Sequence, residues 1–298
     1  MNYQFHTCDV FTKTRFGGNP LAVFSNAEGL NSEQMQLIAR EFNLSETTFV
    51  FPGSESFTRK VRIFTPAQEV PFAGHPNVGT AFTLATIGEL GEIDGQAEIL
   101  FDEKAGPVPI TIRKEDDNIW CELKAPQALS IGNTLPVEQI ASAIGLGPEC
   151  IVTTTHPPQV ASVGLGFVMV ELKDREALAD ASVLFPVFQE IQKSGVHPYL
   201  FVYVRSGDEF DIRARMFAPT DNIMEDPATG SATCALVALL THYDAEPTGE
   251  FSFRVGQGIE MGRPSLLQAR THKKDGEVIG VWVGGFCVSV TEGTFQTA

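Results

Sequence analysis

The sequence is poor in positive charge. It has 21 Lys and Arg residues against 37 Asp and Glu residues, which gives a formal net charge of −16 at pH 7. Nucleic acids and anionic membranes need a basic surface on the proteins that bind them. The charge therefore argues against both as the main partner. An anionic small substrate is still possible, but local backbone dipoles and not the overall field would have to hold it.

Paired cysteines and clustered histidines are also missing. The five cysteines are odd in number and widely separated, and none forms a Cys-x-x-Cys pair. This pattern argues against a disulfide framework and against a thiolate metal site. The six histidines are isolated and lack metal-ligand spacing. We expect no metal site, and a reducing cytoplasm as the compartment.

Long apolar runs are absent too. The run at 235–240 is among the longest, and it is far too short to cross a bilayer. The first residues show no basic segment followed by an apolar one, so we expect no signal peptide. With 43% hydrophobic and 19% charged residues, the composition is that of a globular protein.

Short strand-like segments recur along the 298 residues. Several alternate polar and apolar residues, which is the period of a half-buried strand. The clearest lie at 58–64, 108–112, 119–123, 200–204, 210–217 and 278–283. Helical patterns are fewer, and they lie at 32–42, where Ser32 is a candidate N-cap, at 136–144 and at 185–191.

One pattern occurs twice. Arg62-Ile-Phe-Thr-Pro and His75-Pro-Asn-Val-Gly-Thr-Ala in the first half match Arg215-Met-Phe-Ala-Pro and Asp226-Pro-Ala-Thr-Gly-Ser-Ala in the second. The offsets are 215 − 62 = 153 and 226 − 75 = 151 residues. Ordered matches at nearly one offset, about half the chain length, indicate a tandem duplication. A third match pairs 48–51 with 200–203, at 200 − 48 = 152 residues.

Each copy predicts a strand ending in Phe-x-Pro and then a helix opened by the His-Pro or Asp-Pro motif. Proline suits the first helical turn, where its missing N–H group is not needed. The segments that follow, 81–87 and 232–240, are apolar or small nearly all the way round. That is typical of a helix buried on most faces, so we expect a sheet curled around a helix in each half.

If the two halves face each other, the two helix N-termini converge on one cleft. Their unsatisfied N–H groups and positive dipole ends would attract an anion there. Gly74, Gly79 and Gly230 would let a ligand approach the backbone, and Ser231 would add a hydroxyl donor. The alternative is that the glycines only allow tight turns and close helix packing.

Three side chains near these motifs could move protons. Glu46, just before an apolar strand, suits a general acid or base, and the alternative is an exposed glutamate at a strand end. His75 could exchange a proton or donate to a substrate oxygen, and the alternative is a helix-capping histidine. Asp226 could act likewise, but an Asp-Pro pair also makes a good helix N-cap.

Several longer motifs follow one another from the N-terminus to the last third of the chain. The motifs are Gly18-Asn19-Pro20-x-Ala22-Val23, Ser45-Glu46-Thr47-Thr48-Phe49-Val50, Arg62-x-Phe64-Thr65-Pro66, Pro71-Phe72-Ala73-Gly74-His75-Pro76, Glu225-Asp226-Pro227-Ala228-Thr229-Gly230-Ser231-Ala232, Gln257-Gly258 and Gly262-Arg263-Pro264-Ser265. In this order they resemble the phenazine-biosynthesis PhzF-like family, which in turn resembles diaminopimelate epimerase in fold.

The resemblance implies an α+β fold of two pseudo-symmetric domains. Each would be a curled, mostly antiparallel β-sheet or barrel around a central helix, with the active site between the domains. The first domain would span 1–124, to which the last residues 288–298 could return, and the second 128–287. A homodimer is plausible by the same resemblance.

The resemblance also implies a cofactor-independent isomerase acting on a small carboxylate-bearing substrate, either an amino acid or a dihydroaromatic compound. Glu46 would be the acid–base residue, assisted by His75 and Asp226, while Asn19 lines the pocket. Backbone N–H groups at Gly74, Gly230 and Ser231 would hold a carboxylate or an enolate-like oxygen. Proton transfer between carbons needs only a positioned acid–base group and charge stabilisation.

Two alternatives stay open: an amino acid epimerase or racemase, and a non-catalytic module that binds small anions on the same scaffold. The two-cysteine mechanism of the epimerase is disfavoured, since Glu46 stands at the position of its first cysteine and Cys234 lies a turn inside a buried helix. Asn77 replaces the usual Thr of the family motif, and Met224 replaces the usual Gly. Both departures bear on the substrate rather than on the reaction type.

Overall fold

The computed structural model describes residues 1–116, 118–221 and 223–297. The chain divides into two compact units. The first unit consists of Met1–Lys124 and Gly284–Ala298, and the second of Ala125–Val283. Within the described residues, no helix is both long and apolar enough to span a bilayer.

The first unit is built from a curled sheet with one helix against each of its faces. Its elements are β1 (Asn2–Val10), β2 (Asn19–Phe24), α1 (Ser32–Phe42), β3 (Glu46–Pro52), β4 (Arg59–Phe64), β5 (Glu69–Val70), α2 (Gly74–Thr86), β6 (Gln96–Glu103), β7 (Gly106–Glu115), β8 (Asn118–Lys124) and the later part of β18 (Glu277–Gln296).

The sheet of the first unit closes on itself. Strands β1, β2, β3, β4, β6, β7, β8 and β18 pair in this order, and β18 pairs again with β1. The pairs β2–β3 and β4–β6 are parallel, because a helical crossover joins each of them, and most others are antiparallel. Helix α2 packs against β1, β2, β3, β7 and β8. Its residues from Gly74 to Leu84 are all buried, as the apolar and small side chains of 81–84 predict, whereas Ile87 follows the helix and is 37% exposed.

The second unit repeats this plan. Its elements are β9 (Ser130–Thr134), α3 (Val137–Ala143), β10 (Ile151–Val152), β11 (Gln159–Ser162), β12 (Gly166–Leu172), α4 (Arg175–Asp180), α5 (Phe185–Lys193), β13 (Leu200–Arg205), β14 (Ile212–Ala218), β15 (Ile223–Asp226), α6 (Gly230–Tyr243), β16 (Gly249–Gln257), β17 (Ser265–Lys274) and the start of β18, with short 3-10 turns at Pro148–Cys150 and Pro219–Asp221. Helix α6 packs against β11, β12, β16 and β17, and its interior residues are buried.

Strand registers confirm the duplication. The parallel pairs β2–β3 and β4–β6 correspond to β12–β13 and β14–β16, and the hairpins β3–β4 and β6–β7 to β13–β14 and β16–β17. Phe49 pairs with Arg62, and Val202 with Arg215. The offset is therefore 202 − 49 = 153 residues, and the 152-residue match of these strands was wrong by one.

The three other predicted helices are present. Helix α1 has the predicted bounds, but its N-cap is Asn31, which forms a capping box with Gln34, and not Ser32. Met35 and Ile38 are buried in a cluster with Phe24 and neighbouring side chains. The patterns at 136–144 and 185–191 correspond to α3 and α5, which pack on the second sheet.

Candidate active site

Glu46 and His75 lie side by side in the first unit. Glu46 is the first residue of β3, which the chain enters after Asn43 ends α1 in the left-handed conformation (φ 51°). His75 is the second residue of α2. Its Nε2 atom is 3.4 Å from Glu46 Oε2, and the two side chains are 6% and 16% exposed. This contact joins two of the three residues expected to move protons.

His75 is neutral at physiological pH. Burial lowers its pKa from 6.5 to about 3, because a charged ring loses its hydration inside the unit. The Asn19 side chain is fully buried, and its Nδ2 atom lies 3.3 Å from His75 Nδ1. Asn19, Glu46 and His75 therefore form one cluster on β2, β3 and α2.

The start of α2 supplies backbone donors beside this cluster. Gly74 is the first helical residue, and the N-cap, Ala73, gives no side-chain hydrogen bond to the helix. First-turn N–H groups of such a helix are available to an anion. Gly79 has a different role: a Cβ atom there would lie 2.6 Å from Leu21 Cδ2 and 2.7 Å from Val10 Cγ2. For Gly79 the packing interpretation is right, and ligand approach is wrong.

A buried carboxyl lies close to this helix start. Glu103 ends β6 in phase with the buried Ile99 and Phe101, and burial raises its pKa to about 8. Neither carboxyl oxygen of Glu103 accepts a hydrogen bond, nor does Asn77 Oδ1, although all three atoms are buried. Our sequence reasoning missed Glu103. An acidic residue in phase with inward apolar residues was the available signal.

Asp226 occupies the corresponding region of the second unit. It is buried and is the last residue of β15, where it pairs with Met216. Thr229 Oγ1 donates a hydrogen bond to Asp226 Oδ2. The expectation that Asp226 is an N-cap was wrong, because α6 begins only at Gly230 and its N-cap is Thr229. Pro227 consequently lies before the helix and not in its first turn.

Gln257 braces the loop between Asp226 and α6. Its Nε2 donates to Asp226 O at 2.8 Å and to Thr229 Oγ1 at 3.0 Å, and its Oε1 accepts from Thr229 N at 3.0 Å. Gly258 follows with φ +72°, and a Cβ atom there would lie 2.6 Å from Pro227 O. Ser265 Oγ donates to the same carbonyl at 2.9 Å. The Gln-Gly and Gly-Arg-Pro-Ser motifs therefore support the backbone around Asp226.

The other candidate residues of the second unit lie at the start of α6. Gly230 is buried and Ser231 is partly exposed, at the first two positions of the helix. Asp226, Gly230 and Ser231 thus lie together, as Asn19, Glu46, Gly74 and His75 do in the first unit. Convergence of the two sets on one substrate stays a prediction. Of the two family departures, Asn77 is fully buried and Met224 is 58% exposed.

A polar network without any predicted residue lies elsewhere in the second unit. His156 Nε2 is 2.9 Å from Tyr203 Oη, which donates to Glu171 Oε2 at 2.9 Å, and Glu171 Oε1 accepts from Arg205 Nε at 3.0 Å. Arg205 borders a cavity of about 690 Å³ at the C-terminal end of α6. Across the described ranges, no group of three His, Cys, Asp or Glu side chains is placed to hold a metal ion.

Comparisons with known proteins agree with this architecture. The family model described as phenazine biosynthesis-like protein (PhzC-PhzF) matches residues 8–293. An uncharacterized isomerase of Mesorhizobium japonicum is 36% identical, with 98% of this chain and 97% of that protein covered. The trans-2,3-dihydro-3-hydroxyanthranilate isomerase of Pseudomonas aeruginosa is 34% identical, with 98% of each covered. The expectation of an isomerase is confirmed at the level of these named relatives.

Solved structures show the same fold. A PhzF-family phenazine biosynthesis protein of Bacillus anthracis matches over 100% of both chains, with a TM-score of 0.90 and 25% identity. A hydroxyproline epimerase of Agrobacterium vitis shares the fold at 12% identity, with a TM-score of 0.67 over 99% of this chain and 91% of that one. The expected α+β fold of two related, curled-sheet domains is confirmed. The chain belongs to the phenazine biosynthesis-like, PhzC-PhzF family.

Proposed function

We propose that this protein is an isomerase that moves a proton within a small carboxylate-bearing substrate, with Glu46 as the acid–base residue. The contact between Glu46 and His75, 3.4 Å apart on neighbouring elements, carries this proposal. The substrate class is an amino acid or a dihydroaromatic compound. It is supported by the 34% identity to an enzyme named for a dihydro-hydroxyanthranilate.

The proposed reaction starts with Glu46 as a carboxylate. It removes a proton from a substrate carbon, and the electron pair of the broken C–H bond moves into the conjugated system as an enolate-like anion. The same carboxyl then returns the proton to a different carbon, so a double bond shifts and no electrons are gained or lost. No redox cofactor is needed for this balance, and the step requires only a placed proton carrier and charge stabilisation.

The remaining candidate residues would bind and orient the substrate. N–H groups at Gly74, Gly230 and Ser231 would hold the carboxylate or the developing oxyanion, because each stands at the start of a helix. His75 would donate a hydrogen bond, and Asp226 would orient or relay a proton. Its hydrogen bond from Thr229 supports a defined position for that carboxyl.

Exchange in D₂O tests the proposal. Candidate dihydroaromatic and α-amino acids are incubated with the wild type and with Glu46→Gln, and deuterium incorporation is followed by NMR. Glu41→Gln is the matched control, since Glu41 is exposed on α1. We expect exchange with a double-bond shift in the wild type and the control, and its loss in Glu46→Gln.

Other outcomes identify the alternatives. Exchange at a stereocentre without a double-bond shift would mean an epimerase or racemase. Tight binding of a candidate acid without any exchange would favour a binding module. Exchange that persists undiminished in Glu46→Gln would remove Glu46 from the proposed role.

A further inference from the structure

The amide of Asn19 contacts one ring nitrogen of His75, and Glu46 lies near the other. Asn19 and His75 are 0% and 5% exposed, so bulk water does not compete for their polar atoms. Asn19 Nδ2 lies 3.3 Å from His75 Nδ1, while His75 Nε2 lies 3.4 Å from Glu46 Oε2. Each ring nitrogen therefore has one particular neighbour.

The two neighbours require opposite roles from the ring. An amide N–H group can only donate, so Nδ1 must offer its lone pair to Asn19. His75 Nε2 makes no hydrogen bond at its 3.4 Å distance from Glu46 Oε2, so a proton on Nε2 remains available to that carboxylate, which can only accept. Burial keeps the ring neutral, which leaves one proton for two nitrogens. The tautomer with its proton on Nε2 accepts from Asn19 at Nδ1 and presents an N–H group on the side of Glu46, whereas the other tautomer places two N–H groups against each other at Asn19 and two acceptors at Glu46.

We infer that Asn19 is a positioning residue that holds neutral His75 in the Nε2-protonated form. The inference concerns the ring itself, and its catalytic consequence rests on the proposed function. In this form Nε2 has no lone pair, so His75 cannot remove a proton from a substrate. It can only donate a hydrogen bond to Glu46 or to a substrate oxygen. Glu46 is then the only base of this cluster.

This assignment gives Asn19 and His75 different roles, which the sequence motifs alone do not distinguish. The contribution of Asn19 would not be contact with the substrate, as pocket lining implies, but selection of the tautomer through Nδ1. A neighbour that fixes one ring nitrogen and thereby sets the function of the other is a common device in histidine sites. The same geometry predicts that a carboxylate in place of the Asn19 amide would favour a proton on His75 Nδ1.

The first test uses the wild-type protein without substrate. Two-bond ¹H–¹⁵N correlation spectra, assigned with a His75→Gln variant, report which ring nitrogen of His75 carries the proton. We expect a protonated Nε2 and an unprotonated Nδ1 from pH 8 down to pH 5. A proton on Nδ1 would overturn the inference, because the Asn19 carbonyl would then face the ring.

The second test changes the neighbour. In Asn19→Asp, an anion beside Nδ1 favours a proton there, and we expect the pKa of His75 to rise by about 1–3 units. Asn26→Asp is the charge-matched control, because Asn26 is exposed and its side-chain oxygen already accepts from Glu28 N, a role that Asp keeps. An unchanged His75 titration in a folded Asn19→Asp protein would contradict the inference. If that variant does not fold, the wild-type spectrum alone decides.

The two proposals can fail separately. A protonated Nε2 in the wild type, with no exchange on any candidate substrate, would retain the role of Asn19 and count against the isomerase. Exchange that depends on Glu46, together with a proton on His75 Nδ1, would support the isomerase and count against the role of Asn19. Where both hold, Asn19→Asp should slow exchange at least tenfold and move the pH–rate profile, whereas Asn26→Asp should change neither.

Discussion

The two units share one scaffold but differ at the position where each central helix begins. In the first unit α2 begins at Gly74 and takes His75 into its first turn, where the ring meets Glu46. In the second unit β15 continues through Asp226 and α6 begins four residues later, at Gly230. The same Pro-x-x-Gly motif therefore places a side chain on a helix in one unit and at a strand end in the other.

The difference extends to the strand that precedes each helix. With the register offset of 153 residues, Glu46 corresponds to position 46 + 153 = 199, which is Tyr199. Tyr199 donates a hydrogen bond to Asp221 and stacks on His197, with ring centroids 4.0 Å apart. The proposed proton carrier thus occurs in one copy only. Duplication preserved the sheet and the helix, while the residues at their ends diverged.

The largest expected effect comes from replacing Glu46 and comparing the result with replacement of Tyr199, its counterpart in the second unit. Glu46→Gln should lower the exchange rate by about 10²–10⁴-fold, because general acid–base catalysis is lost. Tyr199→Phe, at the matching position of the second unit, should change the rate less than threefold. Single-turnover exchange in D₂O measures both. Equal losses in the two variants would mean that the proton path uses both units alike.

A duplicated ion pair gives the next comparison. Arg62 binds Glu69 through Nε and Nη2, and Arg215 binds Glu225 in the same way, with N–O distances of 2.8–2.9 Å. The Arg62 side chain is 22% exposed, whereas that of Arg215 is 10% exposed. Arg215 Nη1 also donates to three backbone carbonyls, those of Leu178, Ala179 and Ala181.

Arg215→Lys should therefore cost about 3 kcal/mol of the free energy of unfolding, since it leaves a half-buried carboxylate and three backbone carbonyls short of donors. Arg62→Lys should cost about 1 kcal/mol, because water can reach its partner. Urea denaturation followed by circular dichroism measures both. Similar costs at the two positions would show that the extra carbonyl contacts add nothing.

These comparisons show how far local sequence determines structure. The buried helices and the strands could be predicted, because apolar periodicity reflects which faces are covered. The start of α6 could not, because pairing of Asp226 with Met216 extends β15 past a strong local helix signal. The role of Gly79 depends on Val10 and Leu21, which are distant in sequence. Contacts of this kind are set by the tertiary fold and leave no local pattern.

The pH dependence of stability compares another matched pair. Arg59 lies opposite Phe101 in the first unit, as Ile212 lies opposite Val255 in the second, so Glu103 corresponds to Gln257. Gln257 is fully hydrogen-bonded, whereas the Glu103 carboxyl accepts no hydrogen bond. The folded pKa of Glu103 is raised from 4.5 to about 8, so the folded protein holds a proton that the unfolded chain releases.

The wild type should therefore lose stability as pH rises from about 5 to 8, by about 3–4 kcal/mol from this residue. Glu103→Gln, which copies the second unit, should abolish this loss and be the more stable protein at pH 8. Glu98→Gln serves as control, because Glu98 is an exposed carboxyl on the same strand. Thermal unfolding at pH 5 and pH 8 decides, and an unchanged pH dependence in Glu103→Gln would show that another group carries the proton.

The smallest expected effect concerns the glycine that both motifs share. Gly79 lies inside α2, and alanine there would press on Leu21 and Val10, at about 1–3 kcal/mol, against a gain in helix propensity of about 1 kcal/mol. Gly79→Ala should thus destabilise the protein by about 1 kcal/mol and leave the KM of the folded enzyme unchanged. Gly230 starts α6, where we propose that its N–H group binds substrate, so Gly230→Ala should raise KM with little change in the unfolding midpoint. A raised KM in Gly79→Ala would contradict the packing role of Gly79, and a lowered unfolding midpoint without a KM effect in Gly230→Ala would contradict the binding role of Gly230. In either case the two glycines would have the same role, and the different starts of α2 and α6 would have no counterpart in substrate binding.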